Sequence, residues 1–302
     1  TNDPGEVLTV ARNSPTWVLE SDGVYRQVAS NVLAREWNPE TQQYQAQISG
    51  SVTNLFKWSN NLFGSGWVRT SADLTETTTS IFEGELVGFK LTCTEPGSFN
   101  GRLARGGFSA ELGWSTLSYV VEKGNTADAM LTLEVANIEN PSGARAYFDL
   151  EEGRVRAVVG AGSAGFDRKA AIQKLGNGVY RLSLSLKVDV AGGTWNAFVM
   201  TSDEGTLQAQ ASTGNSIYVY HGQLVGGDVP GPVIVTEDTP VTRDADKPIR
   251  TLGAEFNASQ TSYIVELQSQ EFVSAEILSI SDGTTNNAIR LFYNYSGDLQ
   301  YR

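Results

Sequence analysis

Three carboxylates are the residues of this sequence whose chemistry comes nearest to catalysis. Glu134 in LTLEVAN and Asp149 and Glu151 in YFDLEEG lie on or beside predicted strands, and a glycosidase needs only two carboxyl groups at the right separation. Strand alternation turns Glu134 away from Leu133 and Val135, so it faces solvent if those two residues face the core. A solvent-facing carboxylate keeps an ordinary pKa and is a poor general acid. We therefore expect no catalytic residue and predict that the chain is not an enzyme.

The sequence holds one cysteine and one histidine, Cys93 and His221. A single cysteine cannot form an internal disulfide. One cysteine and one histidine are also too few for a cysteine and histidine zinc site. Both residues lie in alternating runs, FKLTCTE and IYVYHGQL, which is typical of buried strand positions. The sequence contains no GxSxG elbow, no HExxH pair and no DxDxDG calcium loop. We therefore expect no metal site and no cofactor.

Aromatic side chains could bind sugars, because an indole ring stacks on the apolar face of a pyranose. Four tryptophans lie in the region that we predict to be a sandwich: Trp58, Trp67, Trp114 and Trp195. Trp67 follows the NNLFGSG loop and Trp195 follows a Gly-Gly turn, so these two are our stacking candidates. Asn61 and Arg69 are the candidate partners for sugar hydroxyls. The alternative is that these tryptophans fill the core.

Composition and charge exclude several classes of function. The chain has 302 residues, a formal net charge of −12 and a pI near 4.6, and its 22 lysines and arginines form no run. An acidic surface repels a phosphate backbone, so we expect no nucleic-acid partner. No stretch approaches the ~18 apolar residues of a membrane helix, and the polar start TNDPGEVLTV is unlike a secretory signal, so we expect no membrane insertion.

Alternation and turn residues divide the chain into four regions. Residues 1–50 contain extended runs around SDG and NPET, which predict two hairpins that must pack on something else. Residues 51–228 alternate with period two between turns rich in Gly, Asn and Asp, which predicts a jelly-roll β-sandwich. Residues 229–252, here called the linker, hold four of the nine prolines and predict an extended connection. Residues 253–302 return to alternation and predict about four strands, which are too few for a closed sandwich, so the rest is either missing or supplied by another subunit.

The order of several motifs resembles the appendage proteins of tailed bacteriophages and prophages, such as tail fibres. The motifs are ESDGVYRQVASNVLAREWNPETQ, TNLFKWSNNLFGSGWVRTS, YFDLEEGRV, LGNGVYRLSLSL, IYVYHGQLV, TPVTRDADKP and SDGTTNNAIRL. Together they run from about residue 12 to the end. The linker departs from the pattern, since VGGDVPGPVIVTED replaces a shorter proline- and threonine-rich exit.

This resemblance implies a structural protein of the phage virion whose β-sandwich is like a carbohydrate-binding module. It also implies that residues 253–302 are the beginning of a second, concanavalin-like sandwich, which is incomplete. It implies host adhesion, other virion proteins as partners and a host surface glycan as a candidate ligand. It also implies a homo-oligomer, often a trimer, which agrees with edge strands left open by an incomplete strand set. The alternative is a carbohydrate-binding module of a secreted polysaccharide-degrading enzyme. The SDG/NPET section and TPVTRDADKP favour the virion protein, because ordinary binding modules carry neither.

Overall fold

The computed structural model describes residues 9–84, 87–136, 142–162, 167–189, 192–203, 205 and 207–249, together with three strands near the end of the chain. These residues form an all-β protein without a helix, as the alternation predicts. The chain divides into two compact units, Thr1–Thr251 and Leu252–Arg302. We call them unit 1 and unit 2.

Unit 1 begins with short strands: β1 (Thr9–Ala11), β2 (Thr16–Leu19), β3 (Tyr25–Val28), β4 (Arg35–Asn38), β5 (Gln43–Ala46) and β6 (Val52–Asn54). The next strands are β7 (Val68–Thr70), β8 (Ala72–Thr77), β9 (Gly88–Cys93), β10 (Gly97–Ser98), β11 (Arg102–Ser109), β12 (Gly113–Lys123) and β13 (Asp128–Ala136). They continue as β14 (Ser142–Asp149), β15 (Arg154–Gly162), β16 (Arg168–Gly176), β17 (Val179–Val188), β18 (Thr194–Thr201), β19 (Gln210–Ala211) and β20 (Ser216–Gly226). The linker contributes β21 (Val241–Arg243) and β22 (Lys247–Ile249).

Two antiparallel hairpins occupy the N-terminal region, which confirms the prediction from SDG and NPET. The first pairs β2 with β3 and closes at Leu19 opposite Tyr25. The second pairs β4 with β5 and closes at Asn38 opposite Gln43. The side-chain oxygen of Asn38 accepts hydrogen bonds from the backbone N–H groups of Glu40 and Thr41, so the turn satisfies its own donors.

Two six-stranded antiparallel sheets form a β-sandwich, as predicted for residues 51–228. Sheet I has the strand order β15-β14-β13-β18-β11-β7, and sheet II has the order β16-β17-β12-β20-β9-β8. Leu131 and Leu133 of sheet I and Leu117 and Leu184 of sheet II are fully buried in one shared apolar core. Alternation places these residues on the inner faces, and their burial is the main favourable term for folding.

The outer face of sheet II is covered by the first hairpin and by the linker. Tyr25 of β3 stacks on Phe82 with ring centroids 5.1 Å apart, and both rings join Val120 and Tyr220 of sheet II in a second apolar cluster. Val233 of the linker belongs to the same cluster. The first hairpin therefore packs on the sandwich of its own chain, and the second hairpin contacts the first through β4 and β2.

Side chains of sheet II donate hydrogen bonds to backbone carbonyls of the proline-rich linker. Arg181 donates hydrogen bonds to the carbonyls of Pro230 and Gly231, and Gln223 donates to the carbonyls of Pro230 and Pro232. A proline has no N–H for a ladder, so side-chain donors take the place of a paired strand. We predicted that the linker lies between two domains. Its described part, residues 229–249, belongs to unit 1, and the division between the two units falls within the predicted linker, after Thr251.

A buried ion triad joins the N-terminal region to the linker. Asp246 accepts hydrogen bonds from Arg12 Nη1 at 2.7 Å and from Arg243 Nη2 at 2.6 Å, and all three side chains are at most 1% exposed. Arg12 also donates to the carbonyls of Ala29 and Val32, which fixes the segment between the two hairpins. Two short ladders, β1 with β22 and β6 with β21, flank the triad.

The described part of unit 2 is a three-stranded antiparallel sheet of β23 (Ala275–Ser281), β24 (Ala288–Tyr293) and β25 (Leu299–Tyr301). The rest of the predicted second sandwich lies outside the described residues.

Candidate functional site

The loop between β6 and β7 carries two of the predicted sugar-binding residues and is built around the carbonyl of Trp58. This carbonyl accepts hydrogen bonds from the backbone N–H of Asn61 at 3.2 Å and from the indole N–H of Trp67 at 3.0 Å. The backbone of Gly64 lies directly on the Trp58 ring, and a Cβ atom there would come within 2.2 Å of it. Only glycine permits this approach, so the sequence NNLFGSG specifies the loop shape.

Trp67 is a packing residue rather than an open stacking platform. Its ring is partly buried and meets the edge of Phe56 at a centroid distance of 5.4 Å. The guanidinium of Arg105 lies 5.3 Å from the ring centroid and donates a hydrogen bond of 2.6 Å to the carbonyl of Ser65. These contacts close one end of the sandwich core, so the alternative reading as a core residue describes Trp67 better.

Trp195 has only 1% of its surface exposed and belongs to the main core. A ring without an accessible face cannot stack on a sugar, so Trp195 is not part of a glycan site in this structure. Trp114 remains partly exposed, with the ammonium of Lys169 5.5 Å from its ring centroid. The structure therefore does not bring the two predicted stacking residues together on one surface.

Three exposed residues form what we call the loop patch: Asn61 and Phe63 of this loop and Arg69 of the following strand, β7. Phe63 is 48% exposed, stands edge-on against Phe89 and lies 5.9 Å from the guanidinium of Arg69. An aromatic ring beside an amide and a guanidinium has the chemistry for binding a saccharide. Sequence reasoning named Asn61 and Arg69 but missed Phe63, because phenylalanine in a loop between two tryptophans carries no distinct signal.

The three carboxylates singled out in the sequence make different contacts with neighbouring groups. Leu133 and Val135 are fully buried and Glu134 is not, so its side chain points away from the core as expected. Arg145 lies 3.6 Å from Glu134. Glu151 forms an exposed ion pair with Lys123.

Asp149 caps the turn that follows β14. Its Oδ1 accepts hydrogen bonds from the backbone N–H groups of Glu151 and Glu152, and Arg156 lies 2.9 Å from its Oδ2. Burial alone would raise the pKa of Asp149, but these N–H groups and the neighbouring guanidiniums lower it overall. A carboxyl group with a lowered pKa is held in its ionised form, which suits a structural anchor and not a general acid.

Cys93 and His221 are buried and have local partners. The thiol of Cys93 donates to the carbonyl of Glu95 at 3.0 Å, and burial raises its pKa, so it carries little reactive thiolate. His221 lies under the linker with Nε2 3.1 Å from the carbonyl oxygen of Ile234. Burial lowers the pKa of His221 to about 3, so the ring is neutral and its Nε2 carries the donated proton.

A search of the described residues finds no group of three or more His, Cys, Asp or Glu side chains that could hold a metal ion. Within those same residues, no helix has the length and apolar character needed to cross a membrane.

Comparison with known proteins adds no family to these observations. The chain matches no protein-family model and no curated protein.

Proposed function

We propose that this chain is a structural and host-adhesion segment of a tailed-phage virion appendage, such as a tail fibre, and that its β-sandwich presents a glycan-binding surface. The proposal begins from the resemblance of its motifs to such proteins. The observation that carries it furthest is the position of TPVTRDADKP in the fold. This motif supplies Arg243 and Asp246 to the buried ion triad and so fastens the N-terminal hairpins to the sandwich.

The triad matters because it makes the hairpins an integral part of unit 1. A carbohydrate-binding module that only follows an enzyme on a flexible tether has no need for such an attachment. A virion protein that must hold a receptor-binding surface at a defined place on the particle does need a fixed connection. Arg12 at 0% exposure and the stacked pair of Tyr25 and Phe82 supply that connection in this chain.

The loop patch is the surface that we propose for contact with the host. Phe63 offers an exposed ring, and Asn61 and Arg69 offer groups that can meet sugar hydroxyls. The loop is held by the backbone contacts of Trp58 and by Gly64, so little ordering is needed on binding. No step of this function requires a chemical reaction.

Location in the particle tests the virion assignment. Antibodies raised against unit 1 would be applied to intact tailed particles and imaged by electron microscopy with gold labelling, with copy number measured by mass spectrometry of the same particles. We expect label on the tail or another appendage, with copy number in multiples of three. Absence from particles together with secretion beside a polysaccharide-degrading enzyme would favour the alternative of a carbohydrate-binding module. Light scattering of the full chain tests the trimer, and a stable monomer would contradict it.

Substitution tests the loop patch. We expect Phe63→Ala to weaken binding to host surface glycans at least tenfold with only a small fall in the melting temperature, since half of the ring is already exposed. Tyr44→Ala is a matched control, because Tyr44 is also an exposed ring under a guanidinium, with Arg35 5.5 Å from its centroid. Equal losses for the two variants would exclude a specific role for Phe63.

A further inference from the structure

A groove of about 500 Å³ lies between the first hairpin and the linker in unit 1. The hairpin contributes Trp17 and Gln27 to its lining, and the linker, which is bridged to Trp17 at Val233, contributes Val235, Glu237 and Asp238. Its volume falls within the ~300–1,000 Å³ typical of small-molecule sites. Neither the hairpin nor the linker would contain a groove alone, so this site depends on their packing.

Both parts of this lining are fixed before any ligand arrives. Trp17 and Gln27 stand opposite each other in the β2–β3 ladder, and the Trp17 ring meets Phe82 edge-on at 5.5 Å. In the linker, the carbonyl of Glu237 accepts a hydrogen bond of 2.6 Å from the backbone N–H of Trp58. The hydroxyl of Thr236 donates to the carbonyl of Phe56, also at 2.6 Å. A preformed groove loses little conformational entropy on binding.

The composition of the lining selects a class of ligand. Trp17 is partly buried against the second apolar cluster, but unlike Trp67 it lines a groove, where its indole can contact the apolar face of a pyranose ring. The exposed amide of Gln27 can both donate to and accept from hydroxyl groups. The acidic residues that line the groove are Glu83, Glu237 and Asp238, whereas no lysine or arginine lines it. Carboxylates accept hydrogen bonds from hydroxyls and ammonium groups and repel other carboxylates.

We propose that this groove binds a non-acidic saccharide unit, either neutral or amino-substituted, with its ring stacked on Trp17. The inference rests on the proposed adhesion function, to which it adds a second binding site. Gln27 and Asp238 hold the hydroxyl or amino groups along one edge of the sugar. Uronic and sialic acids are disfavoured because their carboxylates would face Glu237 and Asp238.

Titration of the full chain with oligosaccharides by isothermal calorimetry tests the groove, with three sets of probes: neutral hexose oligomers, glucosamine oligomers and uronic or sialic acid oligomers. We expect binding of one of the first two sets and none of the third. Trp17→Ala is expected to reduce that affinity at least tenfold. Trp114→Ala replaces a partly exposed tryptophan elsewhere on the sandwich and is expected to leave the affinity unchanged.

Two further variants keep the test decisive if Trp17→Ala weakens the fold. Gln27 and Asp238 are exposed, so Gln27→Ala and Asp238→Lys should leave the melting temperature unchanged. We expect Gln27→Ala to lower the affinity several-fold and Asp238→Lys to admit acidic saccharides. Unchanged affinity in both variants would overturn the proposal, as would preferential binding of acidic saccharides by the unaltered chain. If Phe63→Ala abolishes saccharide binding and the groove variants do not affect it, the groove is not a binding site, but the proposed adhesion function is not contradicted. Labelling of particles tests that function independently.

Discussion

Replacing Asp246 with alanine should detach the N-terminal region from the sandwich. In the folded protein this carboxylate accepts hydrogen bonds from Arg12 at 2.7 Å, from Arg243 at 2.6 Å and from the backbone N–H of Ser49 at 2.8 Å. The two arginine side chains are at most 1% exposed. Alanine would leave both guanidiniums buried without their counter-charge, which is much costlier than the loss of a surface ion pair.

We expect the free energy of unfolding to decrease by about 4–5 kcal/mol. This is the upper end of the ~3–5 kcal/mol found when one partner of a buried ion pair is removed, because here two cations lose the same partner. Whole domains are stable by only ~5–15 kcal/mol, so the loss is a large fraction of the total. With a urea dependence of about 3 kcal/mol per molar, the midpoint of unfolding should fall by about 1.5 M. Urea titration followed by tryptophan fluorescence measures this shift.

Amide hydrogen exchange distinguishes local from global loss. If the triad mainly fastens the hairpins, residues 12–49 should exchange faster in Asp246→Ala while the inner strands of sheet I keep their protection. Asp238→Asn alters an exposed carboxylate in the same linker and should change stability by less than ~0.5 kcal/mol. The triple variant Arg12→Met, Arg243→Met, Asp246→Leu should recover much of the loss. A cost for Asp246→Ala no larger than that of Asp238→Asn would refute this account of the triad.

Three further predictions concern single side chains. The pKa of His221 is about 3 in the folded protein and ordinarily 6.5, so between these pH values only the unfolded chain binds a proton at this residue. The free energy of unfolding should therefore decrease as the pH falls below about 6.5, by up to ~1.4 kcal/mol per pH unit. In acid titrations, His221→Gln should remove this dependence. Trp195→Ala should cost ~3–5 kcal/mol in urea titrations, and Trp114→Ala clearly less. Gly64→Ala should lower the melting temperature, since its methyl group would lie 2.2 Å from an indole carbon; Gly50→Ala, which has open space, should not.

Alternation and turn residues were enough to predict the all-β class, both hairpins and most strands of the sandwich. They missed β7, β8, β11 and β16, and for β11 and β16 the reasons are identifiable. Strand β11, RLARGGFS, contains two glycines and shifts its register between Gly106 and Phe108, which breaks the period of two. Strand β16, RKAAIQKLG, lies at the edge of sheet II with most residues exposed or half-buried, so no strong apolar face marks it.

The linker and the candidate site depend on contacts that no local pattern contains. Four prolines correctly excluded a central strand, but the sequence does not reveal that Arg181 and Gln223, far back in the chain, satisfy the linker's carbonyls. Tryptophans drew attention to the loop after β6. Tertiary packing decides which aromatic ring of this loop faces solvent. Trp67 packs against Phe56 and is partly buried, whereas Phe63 touches Phe89 only edge-on and stays half exposed.

The antiparallel ladder of β1 and β22 has a mechanical consequence. It brings the first and last described residues of unit 1 side by side, with Thr9 opposite Ile249 and Ala11 opposite Lys247. Tension applied through both ends therefore reaches the ladder at its open end and separates its residue pairs one after another, instead of shearing them together. Directly behind the last pair stand Arg12 and Asp246, in contact and shielded from water. Under a pulling force, unit 1 should lengthen slightly as this ladder opens and then resist at the buried ion pair.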